Sequence, residues 1–280
     1  MITVPSIRQS VSLGRRVQRY ESETLAQQTR IVADGGTVID LAYMDTVIKA
    51  LKAQSILTPA KFIADANIAV KKDGSGAVSK LYDISGNDND AVQATGSAQP
   101  VWTAAQQGTR AGMVFDGNKY LAVASFTGQP TGDSSLSSLY VAKEPAFSGD
   151  QVVVSLGADG SGTAYGSYFK ATGTKVSAEF ASSRGLVSTG AIGTDSVLIS
   201  TVYDKTADTH DIYTNGGDVQ TTAYGPPNIT AGGLSLGIWI NLTASKLTGT
   251  IFDVAIFNIA LTAPQRIAVE TILNTYYAIY

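Results

Sequence analysis

Several oxygen donors that could bind a hard cation lie in one short segment of the chain. Asp83, Asn87, Asp88, Asn89 and Asp90 fall within eight residues. Calcium takes about six to eight oxygen ligands, many of them from a single loop. The spacing is not the D-x-D-x-D-G of an EF-hand, however, and Asx side chains also organise turns by bonding to nearby backbone groups. We expect Asp83, Asn87, Asp88 and Asp90 to organise a loop, with a calcium site as the weaker alternative.

A second turn begins at Asp116, in the segment D-G-N-K-Y. Lys119 stands close to Asp116 in this turn, and its ammonium weakens the local field for a divalent cation. Asp116 is therefore predicted to be a turn former. We expect no metal and no cofactor, with calcium as an alternative that the sequence does not favour.

Residues for acid–base or nucleophilic catalysis are sparse. Glycosidases need two carboxylates beside the scissile bond, and none of the five glutamates has an acid partner at i+2 or i+4 within a predicted strand. His210 precedes Asp211, but neighbouring strand residues point to opposite faces, and the chain has no G-x-S-x-G elbow. The absence of cysteine excludes thiol nucleophiles and thiolate zinc sites. The sequence therefore predicts a protein that is not an enzyme.

Glycan binding needs exposed aromatic rings together with amide or carboxylate groups. We expect Tyr224, in the Y-G-P-P-N loop, Trp102 and Asn241 to be ligand-binding residues. Trp239 lies within the predicted strand from Leu234 to Ile240; the alternation leaves its face dependent on the register, and we expect it to pack in the core. The full set of candidates is Trp102, Tyr165, Tyr168, Tyr224, Trp239 and Asn241.

Four motifs occur in a characteristic order. They are D-I-S-G-N-D-N (83–89), V-F-D-G (114–117), Y-T-N-G (213–216) and G-T-I-F-D-V-A-I-F-N-I-A-L-T (249–262). Together they resemble the laminin-G-like, concanavalin-type jelly rolls. The resemblance implies a two-sheet sandwich built around a binding surface, in which the residues matching Asp83 and Asn87 mostly organise their loop. It also implies a short helix after the last strand.

The elements read from the sequence fit this mainly β fold. Between about residues 60 and 262, apolar runs and period-two segments are separated by glycine turns, which is typical of strands in a sandwich. Asn215-Gly216 is a strong hairpin signal because both residues tolerate positive φ. Near the end, T-A-P-Q (262–265) predicts a capped helix with proline in its first turn.

The N-terminal region, residues 1–59, is predicted to be an attachment or oligomerisation region, with the jelly roll in residues 60–280. Residues 1 to about 35 read as a polar arm or short strand carrying Arg8, Arg15, Arg16 and Arg19. A helix is predicted over residues 37–54, with Thr37 as its cap. Its apolar stripe packs either on the jelly roll or, in the weaker alternative, against another copy of the chain. The stripe and arginines predicted to attach the protein are Arg8, Arg15, Arg16, Arg19, Leu41, Met44, Ile48 and Leu51.

Composition limits the function further. The net charge of −3 implies no particular partner, there is no apolar run long enough to span a membrane, and the N-terminus does not resemble a signal peptide. A binding-type jelly roll without cysteines or an export signal is compatible with a particle made in the host cytoplasm. We therefore expect a bacteriophage virion subunit, on the capsid surface, as a decoration or on the tail, with other virion proteins, copies of itself and cell-surface glycans as partners. The alternative is a glycan-binding adhesin or receptor-binding protein; nucleic acid and membrane are not expected.

Overall fold

The structure is a computed structural model that describes residues 19–144, 149–159, 163–170, 175–180, 185–188, 192–193, 195–223 and 227–280. Its α-helices are α1 (Ser22–Ala33), α2 (Leu41–Ala53) and α3 (Ala263–Tyr277), and a 3-10 turn covers Gly96–Ala98. The strands are β1 (Thr37–Val38), β2 (Ala60–Asp65), β3 (Ala69–Lys72), β4 (Val78–Leu81), β5 (Ala91–Val92), β6 (Val101–Gln107), β7 (Arg110–Asp116), β8 (Leu121–Val123), β9 (Leu136–Lys143), β10 (Gln151–Gly157), β11 (Ala164–Lys170), β12 (Lys175–Phe180), β13 (Gly185–Val187), β14 (Val197–Asp204), β15 (Thr209–Thr214), β16 (Asp218–Ala223), β17 (Gly233–Leu236) and β18 (Thr248–Phe257).

Two antiparallel sheets form the body of the protein. The ten-stranded sheet has the order β1-β3-β4-β5-β8-β17-β10-β11-β12-β13. The eight-stranded sheet has the order β16-β15-β14-β9-β18-β7-β6, and β2 pairs with the second half of β18. This arrangement confirms the predicted mainly β, jelly-roll-like sandwich.

Strand β15 shows the period-two burial that the sequence pattern predicts for it. In β15, His210, Ile212 and Thr214 are buried and alternate with more exposed residues, as expected for a strand near a sheet edge. The turn that follows has positive φ at Asn215 (51°) and Gly216 (72°). β10 and β14, by contrast, have buried residues along both faces because loops or helices cover them.

Two hydrophobic cores lie on either side of the eight-stranded sheet. The first fills the space between the sheets and includes Phe115, Tyr140 and Phe169. The second lies between the outer face of the eight-stranded sheet and the helices, and includes Met44, Ile48 and Phe252. The three helices therefore form a third layer on one side of the sandwich.

Helix α2 packs on the sandwich through its apolar stripe. Met44 and Ile48 are fully buried and Leu51 is nearly so, while Leu41 packs at the edge of the same cluster. Assigning Leu41, Met44, Ile48 and Leu51 to attachment is therefore wrong, because these side chains are covered by the chain's own residues. The predicted cap is also wrong: Thr37 lies in β1, and Asp40 caps α2 by accepting a 2.8 Å hydrogen bond from the Tyr43 backbone N–H.

Part of the predicted N-terminal arm is helical. Residues 22–33 form α1, whose buried residues are Thr24, Gln27 and Ile31. Arg19 is exposed just before this helix, whereas Arg8, Arg15 and Arg16 lie outside the described residues. α1 and α2 share the second core with the sandwich, so the boundary after residue 59 does not separate two cores.

The C-terminal helix begins as the sequence predicts. In α3 the Thr262 side chain and the Gln265 side chain form a reciprocal capping box, and Pro264 lies in the first turn. Within the described part of the chain, no helix combines the length and the apolar character needed to cross a membrane.

Candidate functional site

The Asp83 carboxylate is the centre of a hydrogen-bonded loop. It is fully buried and accepts bonds from the backbone N–H groups of Ile63, Ser85 and Asn89, at 2.9–3.0 Å, and from the Ser85 hydroxyl at 2.8 Å. Burial raises the pKa of Asp83, against the opposing effect of these bonds. Asn87 donates to the Ala60 carbonyl at 2.9 Å. These contacts are those of residues that organise a loop and fasten it to β2.

The other acids of this loop pair with cations from the chain. Arg30 of α1 contacts Asp90 at 2.8 Å and Asp88 at 3.0 Å, and it donates to the Asp83 carbonyl at 2.7 Å. Asp116 is exposed and accepts from the Asn118 backbone N–H at 3.0 Å, in a turn. Among the described residues, no three His, Cys, Asp or Glu side chains are grouped to hold a metal ion.

The two described residues among the three predicted ligand-binding residues, Trp102 and Asn241, lie in different parts of the fold. Trp102 is partly buried against the first core, donates from Nε1 to the Ala66 carbonyl at 2.8 Å and lies under the Lys72 ammonium. Trp102 is therefore a structural residue, and its assignment to ligand binding is corrected. Asn241 is exposed in the loop between β17 and β18. Tyr224 lies outside the described residues.

An aromatic pair on the outer face of the ten-stranded sheet is the most distinctive surface feature. Trp239 is half-buried and stacks on Tyr168, with ring centroids 5.8 Å apart and an angle of 22° between the rings. Tyr168 lies on the outer face because its neighbours in β11, Ser167 and Phe169, point between the sheets, where Ser167 bonds to Tyr140 of the other sheet. We call this surface, formed by Trp239, Tyr168 and the polar groups beside them, the Trp239 platform.

Two glycines place Trp239 there. Gly237 has a φ of +78°, which ends β17 at Leu236 and turns the chain over the sheet. Gly166 lies beneath the indole, and a Cβ at that position would stand 2.5 Å from a Trp239 ring carbon. The Ile238 carbonyl accepts from the Ser155 and Ser235 hydroxyls, at 3.2 and 3.1 Å, and this fastens the loop to the sheet. The prediction that Trp239 packs in the core is therefore wrong, because β17 ends at Leu236, four residues before the predicted strand end at Ile240, and Trp239 is only half-buried.

Polar groups border the aromatic pair. The Trp239 Nε1–H donates to Asp159 at 3.1 Å. Lys170 lies 5.5 Å from the Tyr168 ring centroid and contacts Asp150 at 2.5 Å and Glu179 at 3.0 Å. Burial lowers the pKa of Lys170, but the bonds to the two carboxylates outweigh it and raise the pKa above its ordinary value. An apolar ring with charged and hydrogen-bonding groups at its border is the composition that carbohydrate sites use.

The sequence did not reveal a second arrangement, a pair of buried carboxyl groups. Asp65 of β2 and Asp253 of β18 are cross-strand neighbours beneath α2 and α3. Asp65 accepts from the Tyr277 hydroxyl at 2.6 Å and from the Asn67 backbone N–H at 2.5 Å. Burial raises the pKa of Asp65 to about 6, and burial together with the neighbouring Asp65 raises the pKa of Asp253 further above its ordinary value. The two acids lie far apart in sequence, and only the strand register brings them together.

His210 is buried beside Phe180 and Tyr203 of the first core. Its ring centroid lies 5.1 Å from that of Phe180 and 6.4 Å from that of Tyr203. Burial lowers its pKa to about 3, so the imidazole is neutral at physiological pH. This placement is that of an ordinary strand residue, since aromatic rings surround a side chain that faces away from the surface.

Comparison with known proteins shows the fold. No family model and no curated protein sequence matches the chain. Solved structures do match it: an arabinofuranosidase complexed with arabinofuranosyl-α-1,2-xylobiose (14% identity, TM-score 0.61) aligns with 82% of this chain and 65% of its own. The chain thus spans just under two thirds of that enzyme's length. Domain 4 of AbnA, a GH43 extracellular arabinanase from Geobacillus stearothermophilus, in complex with arabinotriose (16% identity, TM-score 0.51), aligns with 76% of this chain and 97% of its own. The binding domain of botulinum neurotoxin serotype D (12% identity, TM-score 0.55) aligns with 79% of this chain and 52% of its own.

These matches correct one expectation. The prediction that the protein is not an enzyme is contradicted, because three structures of arabinofuranosidases, which are glycoside hydrolases, share its fold. The expected virion role has no support among these neighbours, which are sandwich domains of carbohydrate-active enzymes and a toxin. What the comparisons show is a fold that such proteins share with this chain.

Proposed function

We propose that the chain binds carbohydrate on the outer face of the ten-stranded sheet, with Trp239 as the stacking surface. The observation that carries this proposal is the half-buried Trp239 ring, which Gly166 and Tyr168 support from below. An indole held in a fixed orientation loses little conformational entropy when a sugar ring packs on it. The glycan-binding alternative is thereby favoured over the virion subunit.

The polar groups of the Trp239 platform suit a hydroxylated ligand. Asn241 uses its Oδ1 atom to accept from the Thr243 N–H and hydroxyl, at 3.0 and 2.9 Å, which leaves the amide NH₂ without a partner among the described residues. This amide is exposed two positions from Trp239 and can donate to a sugar hydroxyl. Asp159, which accepts the indole N–H, can accept a further donor beside the ring. Asn241 therefore keeps the binding role that the sequence predicts for it.

Neighbours with a similar fold suggest which sugars to test first. One was solved with arabinotriose and another with arabinofuranosyl-α-1,2-xylobiose. We propose pentose-containing oligosaccharides of this kind as the first probes. Because the identities are low, this choice rests on the fold and on the chemistry of the platform together.

The experiment compares binding of these two oligosaccharides to the wild type, to Trp239→Ala and to Tyr280→Ala, measured by calorimetry. Tyr280 is also an exposed aromatic residue, but it lies at the C-terminus, against Gly216. We expect Trp239→Ala to lose about 30-fold in affinity, or roughly 2 kcal/mol, as when a hot-spot tryptophan is removed. Tyr280→Ala should bind like the wild type. Equal affinities in all three proteins would refute carbohydrate binding at the Trp239 platform.

Hydrolysis is measured on the same samples by the release of reducing ends. If the chain turns over either oligosaccharide, Trp239→Ala should raise KM, because the platform holds the substrate whether or not a reaction follows. An unchanged KM in that variant would show that substrate binds elsewhere.

A further inference from the structure

A groove lies on the opposite side of the molecule, between α2 and α3. Its volume is about 470 Å³, within the range of roughly 300–1,000 Å³ typical of small-molecule sites. Asp40, Tyr43, Arg110, Ile272, Thr275 and Tyr276 line it. The helices contribute both walls, and the first residue of β7 contributes the only cation of the lining among the described residues.

Arg110 is held in place by an aromatic stack. Its guanidinium carbon lies 3.6 Å from the Tyr276 ring centroid, and Tyr276 stacks in turn on Tyr43, with centroids 3.4 Å apart and an angle of 4°. The Arg110 Nε–H donates to the Tyr276 carbonyl at 3.1 Å. These contacts fix the plane of the guanidinium group before any ligand arrives.

The two terminal nitrogens of Arg110 remain available. Within the described residues, Nη1 and Nη2 make no hydrogen bond, and no carboxylate oxygen comes within 4.0 Å. Arginines of this chain that are similarly half-buried or buried are paired: Arg30 with Asp88 and Asp90, and Arg266 with Glu270. A planar guanidinium with two free parallel N–H donors matches the two oxygens of a carboxylate.

The rest of the lining suits hydroxyl groups. Asp40 accepts the Tyr43 backbone N–H at 2.8 Å and the Tyr276 hydroxyl at 3.2 Å. Each carboxylate oxygen has a second acceptor site, so both can take a further donor. The exposed Thr275 hydroxyl has no hydrogen-bond partner among the described residues. Ile272 and the edge of Tyr43 supply apolar contact between these polar groups.

We infer that this groove binds a sugar acid, a compact hydroxylated ring that carries one carboxylate. The carboxylate lies against Nη1 and Nη2 of Arg110, and a ring hydroxyl donates to Asp40. A simple anion fits less well, because it has no ring hydroxyl to donate to Asp40 and so gains only the contact with Arg110. This site is distinct from the Trp239 platform, since it lies on the helical layer that covers the other sheet.

The test uses galacturonate and its uncharged methyl ester, which have the same ring and nearly the same size. Binding to the full chain is measured by calorimetry for the wild type, Arg110→Gln, Arg110→Lys and a control, Lys205→Gln, which removes one positive charge from an exposed turn. We expect the wild type and Lys205→Gln to bind the acid at least about tenfold more tightly than the ester. Arg110→Gln should lose that preference. Arg110→Lys should keep only part of it, because an ammonium group lacks the two parallel N–H donors of a guanidinium.

Equal binding of acid and ester by the wild type, or no detectable binding of the acid at millimolar concentrations, would overturn the inference. This comparison needs no variant, so it holds even if Arg110→Gln fails to fold. Trp239→Ala should retain galacturonate binding, and Arg110→Gln should retain pentose binding on the platform. Failure of one site is therefore distinguishable from failure of the other.

Discussion

Two buried carboxyl groups, Asp65 and Asp253, make the stability of the protein depend on pH. Their folded-state pKa values are raised, that of Asp65 to about 6, because burial disfavours the charged forms and the two groups repel each other. The unfolded chain loses these protons at a lower pH. The contribution of this pair to stability is therefore fully present below about pH 4 and is lost as pH rises through about 6.

We predict that Asp253→Asn stabilises the protein near neutral pH. The asparagine cannot ionise, and its NH₂ group can donate to Asp65, so the free energy of unfolding should rise by roughly 1–3 kcal/mol at about pH 7. The gain should shrink towards about pH 4. Chemical denaturation at both pH values measures this. Asp116→Asn, at an exposed acid, is the control and should leave the free energy of unfolding unchanged at both pH values. If Asp253→Asn were less stable than the wild type at neutral pH, the two buried carboxyl groups would not be destabilising there.

A second prediction at the residue scale concerns Gly166, beneath Trp239. In Gly166→Val, the new side chain would occupy the space of the indole ring and of Tyr168, whose ring carbons lie within 3.0 Å of a Cβ there. The loop should lift from the sheet, and the Trp239 fluorescence should move towards that of an exposed indole. Gly149→Val is a matched control, since a Cβ at Gly149 meets nothing within 4 Å. Unchanged fluorescence in Gly166→Val would mean that the indole does not rest on this glycine.

At the scale of elements, Arg30 ties α1 to the loop that Asp83 organises. It bridges α1 to Asp88, Asp90 and the Asp83 carbonyl, and only a quarter of its side chain is exposed. Arg30→Ala should lower the free energy of unfolding by about 2 kcal/mol, because it removes two ion pairs and the hydrogen bond to the Asp83 carbonyl from a largely buried position. Lys52→Ala, which breaks more exposed ion pairs with Glu21 and Glu23, should lower the free energy of unfolding much less, because solvent screens these charges.

Hydrogen exchange locates the effect of these two substitutions. In Arg30→Ala, amides of α1 and of residues 83–90 should exchange faster than in the wild type, while those of the sheets stay protected. Equal exchange in Arg30→Ala and Lys52→Ala would contradict the anchoring role of Arg30.

The elements differ in how far their sequences predict them. The apolar stripe from Met44 to Leu51 predicts α2, and the capping box at Thr262 predicts the start of α3. Both are patterns of residues close together in the sequence. The sequence does not predict helix α1, because its buried residues Thr24, Gln27 and Ile31 form no apolar stripe. The hydrogen bond that holds this helix to the rest of the fold joins Arg30 to Asp90, sixty positions away. Trp239 was misplaced because one glycine with positive φ ends the preceding strand.

At the scale of the whole molecule, the helical layer and the outer face of the eight-stranded sheet share the second core. Truncation to residues 60–280 would remove Met44 and Ile48, which are fully buried, from the face that Phe252 and Leu139 present. We predict that this truncation does not form a folded monomer. Light scattering and circular dichroism test this; a folded monomer of residues 60–280 would show that the sandwich is stable without α1 and α2.

The order of the jelly-roll motifs predicts the sandwich because turns and strand patterns are local properties of the sequence. The two candidate binding sites are not local. Trp239 and Tyr168 are 71 positions apart, and Arg110 and Tyr276 are 166 positions apart. Only the sheet register and the docking of the helices bring these residues together. The fold alone does not predict the function, because similar sandwiches occur in an arabinofuranosidase, in a domain of an arabinanase and in the binding domain of a toxin.

The most direct test of carbohydrate binding at the Trp239 platform is a titration followed by nuclear magnetic resonance of the tryptophan indole N–H groups. The chain has two tryptophans, Trp102 and Trp239, so two signals serve as probe and internal control. With arabinotriose or arabinofuranosyl-α-1,2-xylobiose, we predict that the Trp239 signal shifts in a saturable manner while the Trp102 signal, bonded to the Ala66 carbonyl, stays in place. A Trp239 signal that does not move with either oligosaccharide, or a shift at Trp102 alone, would contradict the proposed function.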